Sequence, residues 1–84
     1  MDEKTIKNAW HEIRQYMGKH LIGREAEIRI AAQKYAKAVL DANDEERIKY
    51  LGLKHLKRVA EGELGWKQLW SFYTHSYEYE NQVK

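Results

Sequence analysis

The sequence predicts a compact all-α bundle of three or four helices with short connections. Three observations predict it. The chain contains no proline, so nothing strips a backbone donor from a helix interior. Apolar residues recur at steps of three and four, the spacing that lines one face of a helix. Glycines fall between the periodic stretches and mark their ends. No stretch alternates with period two in β-branched residues, so strands are not expected.

The first helix is expected from about Glu3 to Lys19. Ile6, Trp10, Ile13 and Met17 share one face, flanked by Ala9 and Tyr16. Asp2 suits the positive end of the helix dipole, and Gly18 and Gly23 punctuate the exit. A second helix is expected over about 24–42, with Ile28, Ala31, Ala32, Tyr35, Val39 and Ala42 inward and Glu27, Lys34, Lys37 and Asp41 outward. Its alanines admit a close neighbour. A third is expected over about 44–61. Asn43 followed by Glu46 resembles a capping box, Gly62 is the expected stop, and Ile48, Leu51, Gly52, Leu56 and Val59 make a wide apolar face. A fourth is expected over about 65–80. On a helical wheel Trp66, Leu69, Trp70, Tyr73 and Tyr77 occupy one arc, which is assigned to the core. The expected core is Trp10, Ile28, Tyr35, Leu51, Leu56, Val59, Trp70 and Tyr73.

Eighty-four residues make one domain. A 43% hydrophobic and 33% charged composition is too apolar for a disordered chain and too charged for a membrane span. The apolar runs fall far short of the roughly 18 residues that cross a bilayer, and Met1-Asp2-Glu3-Lys4 lacks the order of a signal peptide. A cytoplasmic location is the default expectation. Cysteine is absent, which excludes disulfides and thiolate metal sites. The net charge of +2 is low for a protein held on nucleic acid mainly by phosphate contacts, so any basic patch must be local.

Three constellations stand out. Of the ten aromatic residues, six (Trp66, Trp70, Phe72, Tyr73, Tyr77 and Tyr79) lie in the fourth helix, more ring surface than one buried stripe needs. Phe72 and Tyr79, with Gln68 and His75, fall outside the arc assigned to the core. They form the first candidate site, a strip for docking another protein; the bland reading is that a surrounding helix covers them and the core is simply aromatic, and self-association would also satisfy the pattern. Arg47, Tyr50, Lys54, Lys57 and Arg58 fall on one arc of the third helix and form a basic face suited to phosphates or to an acidic protein surface. The bland reading of that arc is a solvated face balanced by acids such as Glu61. Finally, Leu56 to Trp70 resembles a helix-turn-helix, with the turn near Gly65. The resemblance implies a DNA-reading second helix. Two features depart from the pattern: the spacing from Ala60 to Gly65 is one residue long, and Ser71 stands where a buried aliphatic belongs. The second helix is also poor in base-reading side chains.

No catalytic signature is present. His11-Glu12 is not followed by the second histidine of HExxH, and no nucleophile elbow or phosphate-binding glycine loop occurs. His20 and His55 lie on or near apolar arcs and together could form half a metal site; the expected reading is a hydrogen-bonded core histidine, so neither a metal nor another cofactor is expected. The chain therefore reads as a non-enzymatic regulatory or adaptor protein that binds another protein through its aromatic last helix and the basic face. The alternative is a nucleic-acid-binding regulator of helix-turn-helix type.

Overall fold

The computed structural model describes residues 3–17 and 23–82. These residues form five helices, α1 (Glu3–Met17), α2 (Glu25–Asp41), α3 (Glu45–Leu51), α4 (Leu53–Glu61) and α5 (Trp66–Gln82), and no strand. The expected extension of the first helix to Lys19, its cap at Asp2 and the surroundings of Gly18 and His20 lie outside the described residues. No described helix is long and apolar enough to cross a membrane.

The first two helices form an antiparallel hairpin. Glu12 meets Lys34 at 3.3 Å, and α1 closes its stripe of Ile6, Ala9, Trp10, Ile13 and Met17 onto Ile28, Ala31, Ala32, Tyr35, Ala36 and Val39 of α2. The other flank of α2 receives α4. There α2 supplies donors to carbonyls that the end of α4 leaves unpaired. Gln33 Nε2 donates to Ala60 O at 3.2 Å, and Arg29 Nη1 donates to Gly62 O at 3.2 Å and to Leu64 O.

The third helix departs from expectation at both ends. Its cap is Asp44, whose Oδ1 accepts from the Arg47 N–H at 3.1 Å, not Asn43. Asn43 instead ends α2. It adopts φ 51°, its N–H bonds to Leu40 O, and the Asp44 N–H reaches Val39 O. This paired closure is the Schellman arrangement, with asparagine in the left-handed position. Adjacent residues thus stop one helix and start the next.

The expected single helix over 44–61 is two helices, divided at Gly52. Backbone bonds continue on both sides, from Gly52 N to Ile48 O and from Leu56 N to Gly52 O, but φ 93° and ψ 121° at Gly52 turn the chain between them. A side chain there would make only ordinary contact with His55 Cβ at 3.7 Å. The backbone angle, not crowding, therefore demands glycine. The consequence for function is direct: residues 45–51 and 53–61 do not share one helical face.

In α5 the buried residues are Leu69, Phe72, Tyr73, Ser76, Tyr79 and Glu80. The core arc is rotated by about 70° from the expected one, counting 100° per residue. Trp70 and Tyr77 are half-buried, and Trp66 is exposed. The rest of the expected core, Trp10, Ile28, Tyr35, Leu51, Leu56, Val59 and Tyr73, is buried.

Gly52→Ala forces an L residue into that positive-φ conformation and is expected to lower stability by about 1–3 kcal/mol. Urea denaturation reads the change as a lower midpoint at unchanged slope. An unmoved midpoint would show that α3 and α4 merge into one helix without cost.

Candidate functional site

Arg47 is buried, not on a basic face. It is 2% exposed, and all five of its guanidinium donors are engaged. Nε and Nη2 clasp the two Glu80 oxygens at 2.7 and 3.0 Å. Nη1 reaches Asp44 Oδ2 at 2.6 Å, and Nη1 and Nη2 reach Glu3 at 3.3 and 3.1 Å. The Tyr35 hydroxyl donates to Glu80 Oε2 at 2.7 Å, and Lys7 Nζ stands 3.8 Å from Glu80 Oε1. Tyr79 covers the guanidinium, its ring centroid 5.3 Å from Cζ. The cation thus binds carboxylates from α1, α5 and the cap of α3, and Tyr35 of α2 joins the network through Glu80.

The electrostatics follow. Burial works to lower the Arg47 pKa, but the bonds from Glu80, Glu3 and Asp44 outweigh it and hold the charge firmly. Burial would raise Asp44, yet the Arg47 N–H and guanidinium keep its carboxyl below the usual range. Tyr35 is pushed well above an ordinary phenol by burial and by the neighbouring Glu80 carboxylate, so its hydroxyl stays a proton donor. This network is saturated by its own members. All five Arg47 donors and both Glu80 oxygens are engaged within it.

The expected docking strip is divided. Phe72 is 1% exposed and Tyr79 8%, so neither is open to a partner. Phe72 is wedged between Tyr35, at 6.0 Å between ring centroids, and His55, at 5.4 Å. Tyr79 lies between Arg47 and Tyr50. Gln68 and His75 are exposed, with His75 Nδ1 2.9 Å from Ser71 O. The expected basic arc loses Arg47 to the interior. Tyr50 stays 40% exposed but rests its ring on Tyr79. Lys54, Lys57 and Arg58 remain together on the outer side of α4.

The surplus ring surface lies on the other flank of α5. Trp66, Trp70, Tyr73 and Tyr77 lie in series, each ring tilted against the next, with successive centroids 6.2, 5.6 and 5.8 Å apart. Trp10 of α1 closes on Tyr73 at 5.7 Å and on Tyr77 at 6.2 Å, and Arg14 lies over Tyr77 at 5.6 Å. An open depression of about 320 Å³ beside the series is lined by Tyr73, Thr74, Tyr77 and Glu78. These rings were visible in the sequence. Their partial exposure was not, because an aromatic side chain suits either side of a boundary.

The stretch resembling a helix-turn-helix does fold as helix, glycine turn and helix, with Gly62 in the left-handed region. However, α5 packs mainly on α1, α2 and α3, and its row through Phe72, Ser76 and Tyr79 is buried. Among the described residues no group of three or more histidines and carboxylates is placed to hold a metal ion. Comparison of the chain with protein-family models, with curated proteins and with solved structures yields no match.

Two outcomes are expected. Glu80→Ala strands part of a buried guanidinium and should cost about 3 kcal/mol, the low end for a broken buried pair because Asp44 and Glu3 remain. The double variant Arg47→Met, Glu80→Leu should recover much of that loss in the same denaturation assay. Equal destabilisation in both would show that packing, not charge, holds this site. Separately, burial, then His75 and Arg58, depress the His55 pKa below its ordinary value of 6.5. Folding therefore favours neutral His55: its contribution is complete above pH 6.5 and is lost as pH falls below that value. Melting temperature should drop between pH 7.5 and 5, and the drop should shrink in His55→Gln. An identical slope in the variant would rule the histidine out as its source.

Proposed function

We propose that this chain is a non-enzymatic protein-binding module whose docking surface is the open flank of α5. The observation that carries the reading is Trp66. It is 44% exposed, yet its ring is braced against Trp70, and the series continues through Tyr73 into the core. A tryptophan held in place from beneath loses little freedom when a partner covers it. Tryptophan and tyrosine are also the side chains that most often dominate binding energy at protein interfaces. Half-buried Tyr77 and the neighbouring depression extend the surface by another ring.

Charge on this flank is mixed. Arg14 is engaged with Tyr77, and Lys67 and Glu78 are both exposed. A phosphate backbone calls for a sustained row of cations, which this flank does not supply. The non-enzymatic part of the reading rests on the saturated network around Arg47, where the acids and bases of the interior are spent on one another.

The test is capture by the immobilised chain from nuclease-treated extract, compared with a Trp66→Ser, Tyr77→Ser variant. A specific protein partner should be retained by the parent and weakened at least about tenfold in the variant, a loss of roughly 1.4 kcal/mol. The circular dichroism of the two should agree. Equal capture would remove α5 as the docking surface. Concentration-dependent sedimentation abolished by the same substitutions would identify the partner as a second copy. Capture lost on nuclease treatment would favour the nucleic-acid reading instead.

A further inference from the structure

The outer face of α4 is left unused by the fold. Leu56 and Val59 turn inward and are buried, while Leu53, Lys54, Lys57 and Arg58 are exposed. Residues 53 and 57 form one row of the helix surface, and 54 and 58 form the next, so the four side chains make one patch. Leu53 is 47% exposed and is the only exposed leucine among the described residues. It stands in the first turn of α4, immediately after the bend at Gly52.

None of Lys54, Lys57 and Arg58 takes part in a hydrogen bond or ion pair with the described residues. Glu61, one turn beyond Lys57, is exposed and does not pair with them either. Like charges at this spacing repel within a helix. Arg47, by contrast, draws three carboxylates to itself in the interior. The α4 face therefore combines three cations that form no ion pair with the described residues and one exposed apolar side chain.

We propose that this face docks an acidic polypeptide segment, whose carboxylates meet Lys54, Lys57 and Arg58 while one apolar side chain covers Leu53. Opposite charge brings such a partner in and sets its register, and burying leucine against an apolar group adds an attraction that salt does not screen. A phosphate backbone has no use for the leucine, and no aromatic ring stands on this row to receive a base. The surface is separate from the α5 flank and does not depend on it.

The probe is a synthetic peptide of glutamates and aspartates bearing a single central leucine, titrated into the ¹⁵N-labelled chain. Amide shifts should cluster on residues 53–58. Affinity should fall about tenfold in Lys54→Glu, Lys57→Glu and about fivefold in Leu53→Ser, one to two charge contacts and one apolar contact respectively. A peptide with serine for its leucine should show the smaller loss on the parent chain and no further loss on Leu53→Ser. Trp66→Ser should bind the peptide as the parent does, which separates this surface from the α5 reading. Shifts located elsewhere, or no saturable binding, would overturn the proposal. So would duplex DNA binding the same face more tightly than the peptide, indifferent to Leu53→Ser. All substituted positions are exposed, and unchanged melting temperatures exclude unfolding as the cause of any loss.

Discussion

Arg47 and Glu80 impose the constraint on which the arrangement of helices depends. A charge buried to this degree persists only where every donor finds an acceptor. Satisfying five donors at once fixes the relative positions of Glu3, Asp44 and Glu80, and Tyr35 donates to the same Glu80 oxygen that Arg47 Nε holds. Lysine could not replace the arginine, because an ammonium lacks the planar fork that engages a carboxylate with two parallel bonds. The network does not explain why the chain folds, which is the work of the apolar stripes on α1, α2 and α4. It ties α3 to α5 where α3 itself buries only one apolar side chain, Leu51.

That division explains which parts of the molecule could be read in advance. The α1 and α2 stripes follow the helical period, and their core was legible apart from Ala36, which is buried though outside the expected stripe, and Ala42, which is only half-buried. Reading α5 by apolar content alone failed, because its buried row contains Ser76 and Glu80. Serine is carried there by its bonds to the Phe72 and Tyr73 carbonyls, and glutamate by Arg47. Two polar residues on the inner row shift weight toward the flank bearing the tryptophans. The same blindness placed Arg47 on the surface, since its three carboxylate partners are not its sequence neighbours, apart from Asp44. At Gly52 the residue type alone did not separate a tolerated helical glycine from a bend; only the backbone angle does.

The aromatic residues of α5 consequently have two duties. Phe72 and Tyr79 fill the interior, against α2, α3 and α4. Trp66, Trp70 and Tyr77 lie along its border, where Trp10 connects them to the core. The expected strip on Phe72 and Tyr79 is lost to the interior, and the partly exposed rings of the helix are Trp66, Trp70 and Tyr77. The α4 face adds a second region that folding leaves open, with a chemistry of cations and one leucine unlike the mixed, ring-dominated flank of α5.

The junction between α2 and α3 has a consequence for descent. Asn43 completes one helix and Asp44 opens the next, and Asp44 also holds the guanidinium three residues on. No spacer separates these tasks, so length cannot drift there without undoing a cap and an ion pair together. Divergence in kindred chains should leave positions 42–47 free of insertions and let Arg47, Asp44, Glu3 and Glu80 change only in concert. A remote cousin would then be recognised by that covarying quartet and its spacing more readily than by overall resemblance.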